Sequence, residues 1–300
     1  MMRTIVIIFI SFLISTGISA QSELDSLLML NNQDETSFTF ATFKSTRVIN
    51  GQSVEKVPFG NLEFRISHRF GSTKGGGYEF FGLDQASERL GFEYGLTKWM
   101  SIGIGRSTIQ KNFDGFTKIT LFRQSSGKKS FPLTIDYFGS IVVTSLKWAE
   151  PDRNNYFSSR LTYCNQLLIA RKMNEMFSLQ LMPTVIHKNL VKTEIDRNTI
   201  PVIGIAGRIK LTNRISFSTE YYYVITASRM SVTEKNMKNC LGTGFDFDTG
   251  GHIFQLHFTN ASSMVEKGFI TETPDNWIKG EIHFGFNLNR QFPLVKNKNM

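Results

Sequence analysis

The sequence predicts an all-β protein, a closed antiparallel up-and-down transmembrane β-barrel of about twelve strands, within a range of about twelve to fourteen. Three observations predict it. Polar and apolar residues alternate at every step in runs such as Glu281-Ile282-His283-Phe284-Gly285-Phe286-Asn287-Leu288-Asn289, and such runs recur along the chain. Successive strand side chains point to opposite faces, so each run has one greasy face and one wet face. A secretory signal precedes the runs. Beyond it no stretch of about 18 apolar residues could cross a bilayer as a helix, whereas a closed sheet satisfies every backbone hydrogen bond.

Residues 1–20 read as a signal peptide. Arg3 is followed by an apolar run from Ile5 to Ile14 and by Gly17-Ile18-Ser19-Ala20. Small residues at Gly17 and Ala20 place cleavage before Gln21 and send the chain to the cell outer membrane. Residues 21–53 are polar and read either as a plug or as the carrier of a first strand over 38–47. Residues 54–292 read as the barrel and 293–300 as a basic tail. The strand candidates in the barrel are 61–71, 86–96, 99–106, 115–123, 133–146, 156–171, 177–188, 202–211, 215–224, 241–248, 253–259 and 281–289. Adding 38–47 gives about thirteen, but bacterial single-chain barrels close with an even number. Twelve wall strands, with 38–47 lying in the lumen, is the expected solution; fourteen would require 78–81 to belong to a strand.

The connections alternate in length. Thr97-Lys98, Met173-Asn174-Glu175, Thr212-Asn213-Arg214 and Thr249-Gly250-Gly251 are tight, whereas 147–155, 189–198, 225–239 and 260–280 are long and polar. Short turns on the periplasmic rim and long loops outside are the pattern of outer-membrane barrels. Tyr94, Trp99, Tyr137, Trp148, Tyr156, Tyr221, Tyr223 and Trp277 fall near strand ends, where amphipathic rings suit the lipid headgroup level.

Composition agrees. Hydrophobic residues make up 41 %, modest for a compact globule and natural if half of each strand faces a wet lumen. The 27 Phe against 7 Pro suit strands and lipid contact. The net charge of +9 is scattered without a binding motif, which argues against nucleic acid. It fits a basic lumen attracting a small anionic solute, or basic rims facing lipid phosphates. Cys164 and Cys240 lack CxxC spacing and are expected to sit unpaired on strands.

Several stretches occur together: Ala41-Thr42-Phe43-Lys44 with Arg47-Val48-Ile49-Asn50-Gly51, Ile66-Ser67-His68-Arg69-Phe70-Gly71, Phe81-Gly82-Leu83-Asp84-Gln85-Ala86-Ser87, Asn155-Tyr156-Phe157-Ser158-Ser159-Arg160, Thr249-Gly250-Gly251-His252, and Glu266-Lys267-Gly268-Phe269-Ile270-Thr271-Glu272-Thr273. In these the chain resembles a family of exported Gram-negative proteins classed as a membrane-bound β-barrel domain of unknown function. The resemblance covers nearly all of the mature chain. It implies a membrane barrel and brings no activity or site residue with it.

The alternation itself assigns a lumen face. Arg65, Arg69, Gln255, His257, Glu281, His283 and Asn287 are expected to line it and to set charge preference in a pore or transport-type barrel. His257, Glu281 and His283 would share one wall if their strands are neighbours, and two imidazoles with a carboxylate could hold a transition metal; a polar wall without a metal is the simpler expectation. No cofactor is expected. Ser67 and His68 are adjacent on a strand and point apart, and no Ser-x-His or His-x-Ser occurs, so no catalytic pair and no enzyme activity is expected. Two further classes remain: a plugged, non-conducting structural or interaction barrel, and an enzyme acting on outer-membrane lipid.

Overall fold

The computed structural model describes residues 35–225 and 236–295. Residues 1–20, read from sequence as a signal peptide, residues 21–34 and the tail from Lys296 to Met300 lie outside the described residues. Twelve antiparallel strands close into one barrel. In chain order they are β1 (Asn61–Ser72), β2 (Ala86–Gly95), β3 (Met100–Ser107), β4 (Asn112–Phe122), β5 (Thr134–Thr144), β6 (Leu161–Lys172), β7 (Phe177–Lys188), β8 (Thr199–Lys210), β9 (Ile215–Val224), β10 (Cys240–Asp248), β11 (His252–Thr259) and β12 (His283–Pro293). Each pairs with its sequence neighbours. β12 closes the sheet against β1, with Asn287 opposite Ser67 and Leu288 opposite Ile66.

The period-2 pattern decides which way each side chain points. In β1, Glu63, Arg65, Ser67 and Arg69 are buried inside, while Phe64, His68 and Phe70 stand on the outer wall. There His68 stacks on Phe286 at 5.0 Å between ring centroids. The outer wall carries exposed Phe92, Ile104, Phe113, Ile203, Phe245 and Phe258, a surface that lipid covers and water would not tolerate. Most tight connections lie on one rim and most long ones on the other, with two exceptions: residues 108–111 make a short link on the long-loop rim, and residues 123–133 make a long one on the short-turn rim. β7 and β9 have the bounds read from sequence, and the other strands differ by one to five residues at one or both ends: β4 and β8 each start three residues earlier, β6 starts five later, and β12 starts two later and ends four later. Residues 157–160 form a 3-10 turn before β6. β12 starts at His283 because Gly280, at φ 72°, turns the chain first. Residues 78–81 join a 3-10 stretch instead of a strand.

The segment that the even strand count set aside from the wall lies inside. Residues 41–58 are not part of the wall. The two-residue strand Ser37–Phe38 pairs with Ser125–Ser126, in the connection between β4 and β5 on the short-turn rim. The chain then enters the lumen and folds into a hairpin. Arg47 bridges Gln52, Val48 N donates to Gly51 O at 2.8 Å and Ser53 N donates to Thr46 O at 3.0 Å. The chain leaves the lumen at Pro58, and the wall begins at Asn61, so residues 54–60 go with the inner segment and not with the barrel. From the long-loop rim, residues 260–276 fold inward and carry a short helix, α1 (Glu266–Thr271), all of whose residues are buried. Hairpin and helix meet on the barrel axis, where Glu266 accepts hydrogen bonds from Arg47 Nη1 at 3.1 Å and from Gln52 Nε2 at 3.0 Å.

The inward face is not uniformly wet. On β5 to β8, Phe138, Val142, Leu168, Met182, Ile186 and Val202 are buried, and much of this arc forms one apolar cluster with Phe43, Val48, Ile49 and Val54 of the hairpin. Cys164 and Cys240 belong to the same cluster, and both are free thiols. The opposite arc, β11-β12-β1-β2, is polar and packed closely enough to need glycine. The Arg89 side chain crosses β3 to form a bidentate pair with Asp114, through Nε to Oδ1 at 2.9 Å and through Nη2 to Oδ2. A Cβ on Gly105 would lie 2.2 Å from Arg89 Nη2. Gly105→Ala should push the guanidinium off its partner and strand a buried charge. We expect a loss of about 3 kcal/mol, read as a lower urea midpoint for the loss of the heat-modifiable folded band on gels.

Candidate functional site

Two connected features make up the site: the seat of the hairpin inside the barrel, and a cavity above it on the long-loop side. The seat is built from inward side chains that reach the hairpin backbone. Glu220 on β9 receives the hairpin tip. Its carboxylate accepts from Asn50 N at 2.8 Å, Ile49 N at 3.2 Å and Gly51 N at 3.0 Å. Three amides at a tight turn have no strand partner, and a carboxylate is the acceptor that satisfies them most strongly. Only glycine fits at 51, because a Cβ there would lie 1.8 Å from the Tyr222 hydroxyl.

The other ties come from all round the wall. Lys118 Nζ donates to Thr46 O at 3.1 Å and Glu55 O at 2.8 Å. Arg208 Nη1 donates to Ala41 O at 2.7 Å and Thr42 O at 3.1 Å. Gln180 accepts from Val54 N at 3.0 Å and donates to Gln52 O at 2.7 Å. Lys56 of the hairpin pairs with Asp136 at 2.9 Å. Glu220, Lys118, Arg208 and Gln180 were not singled out from sequence. Their signal was present, since each is a charged or amide residue on the inward face of a strand.

Six of the seven expected lumen residues point inward, and four of them, Arg65, Arg69, Gln255 and Asn287, meet the hairpin in place of an open channel. Arg65 Nη2 pairs with Glu63 at 2.7 Å and donates to Ser45 and Thr46 hydroxyls at 2.8 and 2.7 Å. Arg69 Nη2 donates to Asn50 Oδ1 at 2.8 Å. Gln255 Nε2 donates to Val48 O, and Asn287 Nδ2 to Ile49 O at 3.0 Å. His257 is fully buried beside Arg69. His283 spans Phe70 O and Asp275 Oδ2, each at 2.8 Å. Glu281 is the exception. It precedes β12, where the turn through Gly280 has broken the alternation, and it pairs with Lys74 at 2.6 Å. His257, Glu281 and His283 therefore occupy three separate environments, and no cluster of three metal-type ligands occurs among the described residues. Arg47, Lys56, Arg65 and Arg89 pair with Glu266, Asp136, Glu63 and Asp114, Lys118 lies 4.0 Å from Glu93, and Arg69 and Arg208 face Glu220 and Asp246 without a direct ion pair, so little of the positive charge expected of the lumen is unmatched there.

That charge lies in the vestibule. A cavity of about 810 Å³ sits between α1, the ends of β5 and β7, and the loops 145–160 and 189–200; seven cationic side chains and three carboxylates line it. At its floor Lys188 pairs with Glu272 at 2.8 Å. Lys267 lies 3.9 Å from the same carboxylate and donates to Gln110 and Thr144, both at 2.9 Å. Burial opposes ionisation of Glu272, but Lys188 and Lys267 outweigh it and hold this carboxyl below the ordinary glutamate range. Burial lowers the Lys267 ammonium, with Glu272 opposing the shift. Trp148, expected in the aromatic girdle, instead lines this cavity, with the Arg160 guanidinium 3.8 Å above its ring.

The family model for a membrane bound beta barrel domain (DUF5777) matches residues 43–292. No curated protein matches the chain. Among solved structures the chain is similar to the NanC porin, at 10 % identity over 77 % of this chain and 98 % of that one, TM-score 0.48. It is similar to the KdgM porin at 9 % identity over 77 % and 99 %, TM-score 0.47. It is also similar to an outer membrane channel from Pseudomonas putida F1 at 10 % identity over 80 % and 98 %, TM-score 0.47.

Two expectations follow from this geometry. Glu220→Ala leaves three buried amides without their acceptor. At about 2 kcal/mol, hydrogen exchange at Ile49, Asn50 and Gly51 should quicken roughly thirtyfold while protection of the wall strands is unchanged. A carboxyl whose pKa is depressed on folding stabilises the fold above its unfolded value and loses that contribution as pH falls through the lowered folded value. Protection of the Phe269 and Ile270 amides should thus persist at the pH where free glutamate titrates, and fall in stronger acid. Glu272→Gln should abolish that acid step.

Proposed function

This chain belongs to the family of membrane bound beta barrel domains, and from that premise we propose that it is a transport-type barrel of the outer membrane, closed at rest by its own N-terminal hairpin. Its solute is a small anion gathered in the basic vestibule. The observation that carries the reading is how the hairpin is held. It enters from the short-turn rim and is tied along its length by side chain to backbone hydrogen bonds from Lys118, Gln180, Arg208, Glu220, Gln255 and Asn287. Such bonds contribute only about 1 kcal/mol each, or about 1.5–3 kcal/mol where the side chain is charged, because water replaces them when they break. A polar seat can therefore be vacated and refilled, which a dry core cannot.

The apolar contacts of Phe43, Val48, Ile49 and Val54 set the balance. At about 1.5–3 kcal/mol for each buried side chain, they keep the hairpin seated unless a ligand or a force removes it. The same contacts favour the second reading, a permanently plugged structural barrel.

Planar-bilayer recording separates the two. The refolded mature protein should conduct rarely. A variant lacking residues 41–58, with its fold checked by heat-modifiable mobility, should conduct steadily, with a reversal potential on the anion side. A folded deletion variant that does not conduct would leave the plugged structural barrel as the function.

A further inference from the structure

We propose that the vestibule cavity is a binding site for an amphiphilic organic anion, a small molecule with one carboxylate, sulfonate or phosphate group on a flat apolar body. This deepens the transport reading above, on which it rests, by naming the class of solute.

The cavity volume of about 810 Å³ lies within the range of small-molecule sites, about 300–1,000 Å³. Its lining has two chemistries. Part of it is apolar: Leu146, Trp148, Leu190, Val191, Ile200 and Pro274. Part is cationic and partly buried. Lys267 is only 9 % exposed, and with Lys188 it shares the single carboxylate of Glu272, so the floor keeps one positive charge in excess. Arg160 Cζ sits 3.8 Å from the centre of the Trp148 ring. Its Nη1 donates to the Thr144 and Leu146 carbonyls at 2.7 and 2.5 Å, and it has no carboxylate partner among the described residues. A guanidinium held between an indole and two carbonyls keeps its charge available to an incoming anion.

Each chemistry alone would select a different ligand. An inorganic anion satisfies the ammonium groups but leaves Leu146 and Leu190, 43 % and 56 % exposed, in water. A neutral hydrocarbon covers these residues but leaves the charges unanswered and displaces their hydration. A molecule that places its anionic group at Lys188, Lys267 and Arg160 and lays its body against Trp148 and the leucines satisfies both chemistries at once.

The test is calorimetric titration of the refolded mature protein in maltoside micelles with 2-naphthoate, inorganic phosphate and 2-naphthol. We expect one saturable site for 2-naphthoate, at least tenfold tighter than for phosphate, and no saturable site for 2-naphthol. Lys188→Gln with Lys267→Gln, or Arg160→Gln, should weaken 2-naphthoate at least fivefold, and Trp148→Ala should do so without touching a charge. Heat-modifiable mobility identifies the variants that fold. Phosphate binding as tightly as 2-naphthoate, binding unchanged in the folded variants, or no saturable 2-naphthoate site would each overturn the proposal. Because binding is measured on the closed barrel at equilibrium, its failure leaves the conductance result intact, and a non-conducting deletion variant leaves the binding result intact.

Discussion

A sheet of twelve strands closes around more space than its own inward side chains fill, since about eight strands is the size at which side chains alone suffice. The remaining volume must hold water or a further piece of chain. Here it holds a hairpin from one end and a loop with a short helix from the other, and most of the buried residues exist to receive them. An inserted backbone brings unpaired N–H and C=O groups into the barrel, each of which costs free energy if left unbonded. The wall answers with side chains, because its own backbone groups are already committed to the ladder. That is why Lys, Arg, Gln, Asn and Glu stand at inward positions where a self-filled barrel would use aliphatic residues.

The two arcs of the lumen differ in emphasis. The arc from β5 to β8 adds an apolar cluster shared with Phe43, Val48, Ile49 and Val54 to the polar ties made by Asp136, Gln180 and Arg208. The arc from β11 through β1 to β4 is almost wholly polar, and Arg65, Arg69, Gln255 and Asn287 fix the height and rotation of the hairpin. Burial alone would let the hairpin slide, because apolar contact is non-directional. Glu220 removes that freedom by gripping three consecutive amides at the tip.

The wall was legible in the sequence because a strand repeats every two residues and lipid punishes any break in that repeat. Strands β7 and β9 have the bounds read from sequence, and the inward face of β1 follows directly from alternation. The even number of strands also put residues 38–47 outside the wall. The contents of the lumen were less legible, because their partners are remote. Ile49 meets Asn287 across 238 positions, and no local pattern records such a pairing. One local signal was available. Asn50-Gly51 between Val48-Ile49 and Gln52-Ser53-Val54 is a hairpin turn with arms too short to cross a bilayer. Glu281 was misplaced for a related reason, since alternation cannot reveal that Gly280 turns the chain just before the strand starts. The vestibule was the least legible feature. Its residues come from separate loops and strand ends, and Trp148 and Arg160 have meaning only together.

Hairpin and vestibule are physically continuous through α1. At its first residue, Glu266 holds Arg47 and Gln52 of the hairpin. The next residue, Lys267, forms the vestibule floor with Glu272 just beyond the helix end, and Phe269 packs edge-on against Tyr222, whose hydroxyl lies over Gly51. The helix is closed by Phe269 N to Val265 O at 3.1 Å and Glu272 N to Gly268 O at 2.9 Å. Turning one end of this segment against the other would break these bonds inside a barrel that offers few replacements. An anion bound at the floor, as proposed above, would compete with Glu272 for Lys188 and Lys267, one residue beyond the helix whose first residue holds the hairpin. The contact that fills the lumen and the contact that would greet a solute are therefore joined through one short helix.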